Sequence, residues 1–418
     1  MASNQSTAAR ATFHLPFEIT IEILSRLPVK SLLRFKSVCK NWYDLIKTPD
    51  FISKHLLQTH STFNSTSLLV TNYNLVPATL QMSLLSIDGL NNGPINLDFP
   101  FLNGMINKYT GMNWFYIVGI CNGLVCIHFS PQEFPLILCN PSTRQFQEIP
   151  NSEWLDEMIE RVSFGFGFHP GANDYKLIRI VHYVSSFEEA VTQVDLYVMS
   201  THTWTNIDAN KLSVFFGEIN DWGEYDIIVG STASAVLNGV FYWSACVIPT
   251  NEVIVMSFDM GDEVFRKITT PVPLDWCFDE DIWRFIEQTD EKFWRFTELK
   301  DKLALVIRPD ERSLDVWVLN ADQNSWTNQF KVGSFPRISG YVRFGYNGEI
   351  RVVGCATIGE LVVTDHSGSG DLKLFLYDTE TLKRTDLYFG GVLYRSAYLY
   401  TETLLPVTQT NEALNLCN

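Results

Sequence analysis

The sequence predicts a mainly β protein: a β-propeller of six blades (five to seven), preceded by a small bundle of three to four helices. The first observation is a change in apolar spacing along the chain. Helical spacing is confined to about the first 60 residues. From about Ser67 to Leu405 the chain alternates short runs rich in Val, Ile, Phe, Tyr and Trp with Asn-Gly, Gly-Asp and Asp or Asn turns. The second observation is an internal repeat in this longer part.

The repeat occurs six times with a period of about 60 residues. Each unit is an apolar strand that ends in Asp, Asn or Ser, followed by a polar turn and an aromatic strand. The residues that end the apolar strands are Asp88, Asn140, Ser200, Asp259, Asn320 and Asp378. Asn-Gly pairs at 122–123, 238–239 and 347–348 add a second hairpin to some units. Two hairpins make a four-stranded sheet, and radial stacking buries the faces of such sheets. The last unit is the weakest, because Arg384 replaces the aromatic residue of the others.

The N-terminal segment reads as short helices. Ile19, Ile23 and Leu27 follow one another at helical spacing. Pro28 is expected to end this helix, because proline lacks the backbone donor and clashes with the preceding turn. A second and a third helix follow, and a short fourth one is predicted over 51–56.

About 45 residues in short helices make a poor core, and a domain of that size usually needs a metal, disulfides or a partner. The cysteines form no CxxC pair and no disulfide pattern. A protein partner is therefore implied. The alternative is a helical cap that packs on the rest of the chain.

Residues 13–57 resemble an F-box. The matching stretches are Leu15-Pro16, the segment from Ile23 to Trp42, and the segment from Leu45 to Phe51. The resemblance implies docking on a Skp-type adaptor, which links to a cullin scaffold. Carried over by position, the adaptor-binding residues are Leu15, Pro16, Ile19, Leu27, Pro28, Leu32, Leu33 and Val38. Trp42 is expected to hold the helices together.

The repeat region resembles the plant F-box-associated domain, which is kelch-like. The matching signatures are GICNGLVC at 119–126, NPSTRQFQEIP at 140–150, GFGFHPGANDYKLIRI at 165–180, LNGVFYW at 237–243 and FDMGDEVF at 258–265, together with the unit at 316–326. The expected organisation is a disordered tail (1–12), an F-box (13–57), a linker (58–66), a propeller (67–405) and a C-terminal tail (406–418). The resemblance implies a substrate receptor of an SCF-type ubiquitin ligase, with the propeller capturing a protein. The overall pattern is also similar to S-locus F-box proteins, pollen factors whose relatives recognise basic stylar ribonucleases.

Composition excludes several other classes. The net charge of −16 argues against a nucleic-acid partner, which usually requires a basic surface. Apolar runs stay shorter than the ~18–20 residues that span a bilayer, and the N-terminus lacks a secretory h-region. The cysteines lie mostly in apolar runs and are expected to be reduced core residues. A cytoplasmic or nuclear protein is predicted.

Motifs for catalysis are weak. The segment GFGFHPG at 165–171 lacks the third glycine of a dinucleotide-binding loop, and neither G-x-S-x-G nor HExxH occurs. The pair Glu188-Glu189 could serve a glycosidase, but solvated loop charges are the better interpretation. We therefore predict a non-enzymatic protein with no catalytic residues, no metal and no cofactor. A propeller scaffold outside any ligase is the main alternative, and a propeller enzyme is a third.

Acidic residues concentrate in three segments, 151–161, 216–227 and 275–291. Each follows the aromatic strand of its repeat, so all three are expected to be connectors on the same face of the ring. They also carry aromatic residues, and aromatic anchors within a charged rim are typical of binding hot spots. The predicted substrate-binding residues are Trp154, Trp222, Glu224, Tyr225, Asp226, Trp276, Asp279, Glu280, Asp281 and Trp283. The hypothesis is capture of a basic protein; the alternative is that the aromatic residues fill gaps between blades.

Overall fold

The computed structural model describes most of the chain. The described residues are 15–61, 67–75, 78–87, 95–97, 115–129, 135–152, 158–184, 190–215, 226–230, 232–248, 252–274, 293–310, 313–321, 324–333, 350–357, 360–365, 373–378, 380–381, 383–387 and 396–407. The predicted tail 1–12 and residues 408–418 lie outside this set.

Four helices open the described chain, as predicted. They are α1 (Phe17–Leu24), α2 (Val29–Phe35), α3 (Lys40–Ile46) and α4 (Pro49–Ser61). The first helix is shorter than predicted, because the amide of Leu27 bonds to the carbonyl of Leu24 and tightens the chain before Pro28. The fourth is longer than predicted and extends into the segment 58–66 that was expected to be a linker. None of the helices in the described residues is long and apolar enough to span a membrane.

The described strands form six antiparallel sheets, which confirms the six-bladed propeller. From the inner to the outer strand, blade 1 contains β25 (Ser396–Tyr400), β1 (Ser67–Leu75), β2 (Ala78–Ser86) and β3 (Ile95–Leu97). Blade 2 contains β4 (Phe115–Cys121), β5 (Leu124–Phe129), β6 (Leu136–Asn140) and β7 (Gln145–Ile149); blade 3 contains β8 (Met158–His169), β9 (Asp174–Val184), β10 (Ala190–Val198) and β11 (Thr203–Ile207).

Blade 4 has a divided inner strand, since β12 (Asp226–Val229) and β13 (Ala235–Leu237) both pair with β14 (Val240–Ile248). Its two outermost strands are β15 (Glu252–Asp259) and β16 (Val264–Thr269). Blade 5 contains β17 (Phe293–Leu299), β18 (Lys302–Asp310), β19 (Ser313–Asn320) and β20 (Ser325–Gly333). Blade 6 contains β21 (Ile350–Thr357), β22 (Glu360–Asp365), β23 (Lys373–Asp378) and β24 (Arg384–Leu387).

The repeated Asp or Asn has a local structural cause. Asn140, Asp259 and Asp378 each end the third strand of a blade. The side-chain Oδ1 of each accepts hydrogen bonds from the backbone N–H groups two and three positions later, at 2.8–3.2 Å. Such an Asx turn fixes the hairpin that leads to the outer strand. Asp88 lies outside the described residues.

Arg384 occupies the aromatic position of the sixth unit in a different way. Its guanidinium lies over the ring of Phe375, with Cζ 4.1 Å from the centroid. The long side chain therefore covers the neighbouring strand as an aromatic ring would, with a cation–π contact in addition. Arg384 thus fills the place that an aromatic residue takes in the other units.

The Asn-Gly hairpins at 122–123 and 238–239 are present as predicted. Both residues of each pair have positive φ, between 50° and 82°. This geometry is that of the two-residue turn whose twist matches antiparallel strands. The pair at 347–348 lies outside the described residues.

The strand order gives the propeller two distinct faces. The turns from the first to the second strand and from the third to the fourth strand of each blade lie on one face, here called the hairpin face. The links from each outer strand to the next inner strand start and end on the opposite face, here called the connector face. Strand β1 begins and β25 ends on the hairpin face, so the helical domain and the C-terminal segment join the propeller there.

Glycines in the GFGFHPG segment allow blade 4 to close against blade 3. A Cβ atom on Gly165 would lie 2.8 Å from Cδ1 of Phe241, and one on Gly167 would lie 2.3 Å from Cγ1 of Val236. The indole Nε1 of Trp243 donates to the carbonyl of Phe164 at 3.0 Å across the same boundary. The segment therefore has a packing role.

Two tryptophans of outer strands join neighbouring blades. Nε1 of Trp204 in blade 3 donates to the carbonyl of Pro150, which follows blade 2, at 2.6 Å. Nε1 of Trp326 in blade 5 donates to the carbonyl of Thr269 in blade 4 at 2.8 Å. The aromatic position of the repeat is thus used both for packing and for hydrogen bonding between blades.

Five of the described cysteines are free: Cys39, Cys121, Cys126, Cys139 and Cys246. Cys126, Cys139 and Cys246 are buried, and burial raises the pKa of Cys139 to about 12. These residues are core positions, as predicted. Cys39 is exposed at the start of α3 and is an exception to that prediction.

Gly167→Ala should destabilise the propeller, because its methyl group would overlap Val236. Overpacking of this kind typically lowers the free energy of unfolding by about 1–3 kcal/mol. Urea unfolding followed by tryptophan fluorescence measures the change. Gly171→Ala is the matched control, because its Cβ would meet only the movable ring of His169 at 3.2 Å. Equal midpoints for the two variants would contradict this packing role.

Candidate functional site

The helical domain has a small core to which the far end of the chain contributes. Its buried apolar side chains are Leu24, Val29, Leu32, Leu45, Ile46 and Phe51, and Leu404 completes the cluster. Trp42 packs on the edge of this core, with its ring centroid 5.4 Å from that of Phe35. Trp42 therefore holds helices together, in keeping with the prediction.

An apolar stripe remains exposed on α1 and in the two residues before it. Leu15, Ile19 and Ile23 follow at intervals of four residues and are 63%, 47% and 49% exposed. Residues four apart lie on the same side of a helix, so Ile19 and Ile23 are neighbours on α1, and Leu15 precedes the helix by two residues. Val38, in the turn between α2 and α3, is 60% exposed.

Exposed apolar residues are concentrated in this domain. Six of the nine large apolar side chains that remain exposed in the described residues lie between Leu15 and Tyr43. The other three, Leu57, Ile95 and Val264, are scattered over α4 and two outer strands. A concentrated apolar surface on an otherwise folded domain marks a protein-interaction site.

The residues predicted to bind an adaptor have three different environments. Leu15, Pro16, Ile19, Pro28 and Val38 are exposed. Leu27 and Leu33 are half-buried at the edge of the core.

Leu32 requires a correction. Its side chain has no exposed surface and packs in the core, because it lies on the inward side of the short helix α2. Leu32 can therefore support the exposed residues from below, but it does not face a partner.

Phe17, Ile23 and Tyr43 are also exposed and were not among the predicted site residues. The exposure of Ile23 could have been predicted from the sequence, since it lies four residues after Ile19. Phe17 and Tyr43 carry no such signal, because their exposure depends on how the four helices pack.

Charged side chains link α1 to α4 beside the stripe. Glu22 forms ion pairs with Lys54 of α4 at 2.7 Å and with Arg26 at 2.5 Å. Hydrogen bonds from Lys54 and then from Arg26 lower the pKa of the Glu22 carboxyl. The contacts favour one orientation of α1, the helix that carries the stripe.

A buried histidine braces the same domain. Nε2 of His55 lies 2.9 Å from the carbonyl oxygen of Leu27, in the turn between α1 and α2. His55 is 3% exposed, and within the described part of the chain its Nδ1 has no hydrogen-bond partner. Burial lowers the pKa of His55, so the ring is neutral and donates from Nε2.

The helical domain is attached to the hairpin face of the propeller by the segment that follows β25. Leu404 of this segment inserts into the helical core. Oε2 of Glu402 accepts a hydrogen bond from the backbone N–H of Val29 at 3.3 Å. The helical domain with its apolar stripe and the propeller are thus parts of one packed structure.

The predicted substrate-binding residues are mostly beyond the description. Nine of the ten lie outside the described residues: Trp154, Trp222, Glu224, Tyr225, Trp276, Asp279, Glu280, Asp281 and Trp283. Asp226 is the first residue of β12, and its backbone pairs with Ile248. The acidic segments lie in the links between outer and inner strands of successive blades, and these links start and end on the connector face. Two of the segments were predicted too long as connectors, because residues 158–161 already belong to β8 and residues 226–227 to β12. In the described residues no three His, Cys, Asp or Glu side chains group as a metal site.

Comparison with known families decides the identity of both parts. Residues 101–407 match the F-box associated beta propeller domain, and residues 13–54 match the F-box domain. The chain belongs to the F-box-associated β-propeller family.

Relatives of this F-box protein include an F-box/kelch-repeat protein of Arabidopsis thaliana, 26% identical over 336 residues, which cover 79% of this chain and 82% of the relative. Another F-box protein of the same plant is 26% identical over 416 residues, which cover 90% of this chain and 88% of the relative. Among solved structures, TolB from Acinetobacter baumannii aligns with a TM-score of 0.43 and 11% identity over 84% of this chain and 73% of that chain.

The F-box should lose stability in mild acid because of His55. Its pKa is lowered in the folded state, so the unfolded chain takes up the proton more readily. The stability that depends on a neutral His55 is fully present above the pKa of about 6.5 that the residue has in the unfolded chain. It is lost as the pH falls toward the lower pKa of the folded state. Chemical unfolding at pH 7.5 and 5.5 measures the loss. His55→Gln retains a donor for Leu27 but cannot titrate, so its loss should be smaller; an equal loss in both chains would contradict the prediction.

Proposed function

We propose that this protein is the substrate receptor of an SCF-type ubiquitin ligase. The F-box docks on a Skp-type adaptor through the exposed stripe of α1, and the propeller presents a protein substrate. The observation that carries the proposal is the apolar strip of Leu15, Ile19 and Ile23 on a domain that is otherwise well packed. Family membership and the names of the relatives support the same assignment.

Energetics favour a partner on this strip. Burying one such aliphatic side chain is worth about 1.5–3 kcal/mol, so three exposed side chains on and just before one helix leave substantial binding energy available. The ion pairs of Glu22 restrain α1 in advance, which lowers the entropy lost on docking. A rigid, apolar helix surface is a common mode of protein recognition.

The proposal assigns the protein no catalytic step of its own. The protein binds the adaptor through its F-box and the substrate through its propeller. It thereby brings the substrate to the ubiquitin-transferring machinery, in the cytoplasm or the nucleus. The alternative is a scaffold in which the same F-box binds the adaptor outside any ligase. Reconstitution with adaptor, cullin, ubiquitin and the transfer enzymes separates the two, because only a receptor promotes ubiquitination of its bound protein.

Ile19→Asp should abolish most adaptor binding, because it places a charge in the middle of the strip. Loss of a binding hot spot is worth about 2 kcal/mol or more, which is about a 30-fold rise in the Kd for the adaptor. Calorimetry with the purified full-length chain and a Skp-type adaptor measures the change.

Leu57→Asp is the matched control. Leu57 is 70% exposed on α4 of the same domain, but it lies outside the stripe. Its Kd should stay within about twofold of the wild-type value, as is usual for surface changes away from an interface. If Ile19→Asp bound the adaptor as tightly as Leu57→Asp does, the stripe would not be the docking site.

For the substrate, we propose a basic protein bound at the connector face. The links that carry the three acidic segments start and end on this face, and the F-box is attached to the opposite one. Segment 216–227 carries Glu218, Asp221, Glu224 and Asp226 and no basic residue. Such a surface steers a positively charged partner and selects against acidic proteins. A role in self-incompatibility stays a prediction from the resemblance to S-locus F-box proteins.

Replacing Asp279, Glu280 and Asp281 together by Lys should weaken binding of a basic probe. A fluorescent ten-residue oligolysine peptide, with an oligoglutamate peptide as the negative probe, tests this by anisotropy. The affinity for oligolysine should fall about tenfold at low salt, and wild-type binding should itself weaken as salt screens the charges.

The control is a second triple variant with the same change in net charge. Asp262, Asp301 and Glu380 are exposed on turns of the hairpin face and are each replaced by Lys. This variant should bind oligolysine nearly as well as the wild type. Equal losses in both triple variants would indicate a non-specific effect of net charge and would remove the connector-face proposal, while adaptor binding should be unchanged in both.

A further inference from the structure

The segment Thr401–Val407, which follows the last strand, contacts two different parts of the molecule with alternate residues. Glu402 and Leu404 contact the F-box. Thr403, Leu405 and Val407 contact the propeller. An extended chain directs successive side chains to opposite sides, so one short segment serves both parts.

On the propeller side, blade 2 is shaped to hold this segment. Nδ2 of Asn140 donates to the carbonyl oxygens of Thr403 at 3.1 Å and Leu405 at 2.8 Å. A Cβ atom on Gly123 would lie 2.2 Å from the carbonyl oxygen of Thr401. The glycine of the first Asn-Gly hairpin, already required by its φ of 78°, therefore also leaves room for the segment.

On the F-box side, the segment supplies part of the domain itself. Leu404 is 5% exposed within the helical core. The Glu402 carboxylate bonds to the N–H of Val29 at the start of α2, and burial raises its pKa. Removing the segment would leave a gap in the F-box core and an unpaired N–H.

The same segment is continuous with the strand that closes the ring. Tyr400, the last residue of β25, pairs with Ser67 of β1, and its hydroxyl lies 2.7 Å from that of Ser142. Only Thr401–Thr403 separate Tyr400 from Leu404. If β25 moves away from β1, Leu404 must leave the F-box core, because only three residues join it to β25.

We infer that adaptor binding and closure of the propeller ring are coupled through Leu404. This inference rests on the proposed docking of the adaptor on the F-box. A ligand that binds only the intact F-box opposes every motion that removes Leu404, so it stabilises the pairing of β25 with β1. By thermodynamic reciprocity, opening of the ring weakens adaptor binding. Leu404 is a positioning residue that acts through the F-box.

Hydrogen exchange of the full-length chain tests the coupling without any substitution. Peptides that cover 396–400 and 67–71 are followed by mass spectrometry with and without saturating Skp-type adaptor. Exchange in both strands should slow about tenfold with the adaptor, the direction set by mass action on local opening. Peptides of β18 and β19 on another blade report whether any protection is general.

Three variants complete the test. Leu404→Ala should remove the protection of β25 and lower the adaptor affinity about tenfold, and Leu404→Met should restore both because it conserves volume. Val407→Ala is the matched control, since Val407 is equally buried on the propeller side and does not lie between Leu404 and β25. It should retain the coupling.

The outcomes separate this inference from the proposed function. If the adaptor binds and exchange in β25 and β1 is unchanged, the coupling is overturned and adaptor docking stands. If Leu404→Ala still shows the full protection, Leu404 does not carry the coupling. If the wild-type chain binds no adaptor, the proposed function and this inference both fail.

Discussion

The pairing of β25 with β1 is the contact on which the rest of this structure depends. Five residue pairs, from Ser67 with Tyr400 to Thr71 with Ser396, form a backbone ladder between distant parts of the sequence. The boundary between blades 3 and 4, by contrast, relies on close packing around Gly165 and Gly167 and on the indole of Trp243. Such blade contacts form in sequence along the chain and would leave an open array with a free strand edge at each end. The ladder joins the ends, so all six blades have two neighbours.

This mode of closure also sets the position of the two binding regions. Because the C-terminal strand is the inner strand of blade 1, the chain passes into β1 and out of β25 on the same face of the ring. The F-box and the segment Thr401–Val407 therefore meet on the hairpin face, where Glu402 bonds to Val29. The acidic connectors begin and end on the other face. With the adaptor and the substrate bound as proposed, the thickness of the propeller separates the two partners, and neither needs to displace the other.

The parts of the fold that were predicted correctly are those with local causes. The Asx turns at Asn140, Asp259 and Asp378 depend on side-chain bonds within three residues, so the repeat was visible in the sequence. Contacts between distant residues were not predictable. The burial of Leu32 and the exposure of Tyr43 depend on how four helices pack around Leu404, which is more than 350 positions away in the sequence, and no local periodicity indicates such a contact. The sequence suggested that the sixth repeat was incomplete, because Arg384 replaces an aromatic residue. The contact of Arg384 with the ring of Phe375 joins two strands and cannot be inferred from local sequence.

The contribution of Leu404 explains how so small a domain can leave an apolar stripe exposed. A core of this size supplies only about 3–5 kcal/mol of stability, and burying one leucine is worth about 1.5–3 kcal/mol. Leu404 is therefore a large fraction of what keeps the F-box folded, although it belongs to the propeller end of the chain. With that side chain provided from outside, the domain does not need Leu15, Ile19 and Ile23 for its own core. The F-box receives a core residue from the segment that follows β25 and leaves three apolar residues exposed. If the adaptor docks there as proposed, a closed propeller is a condition for a competent docking surface.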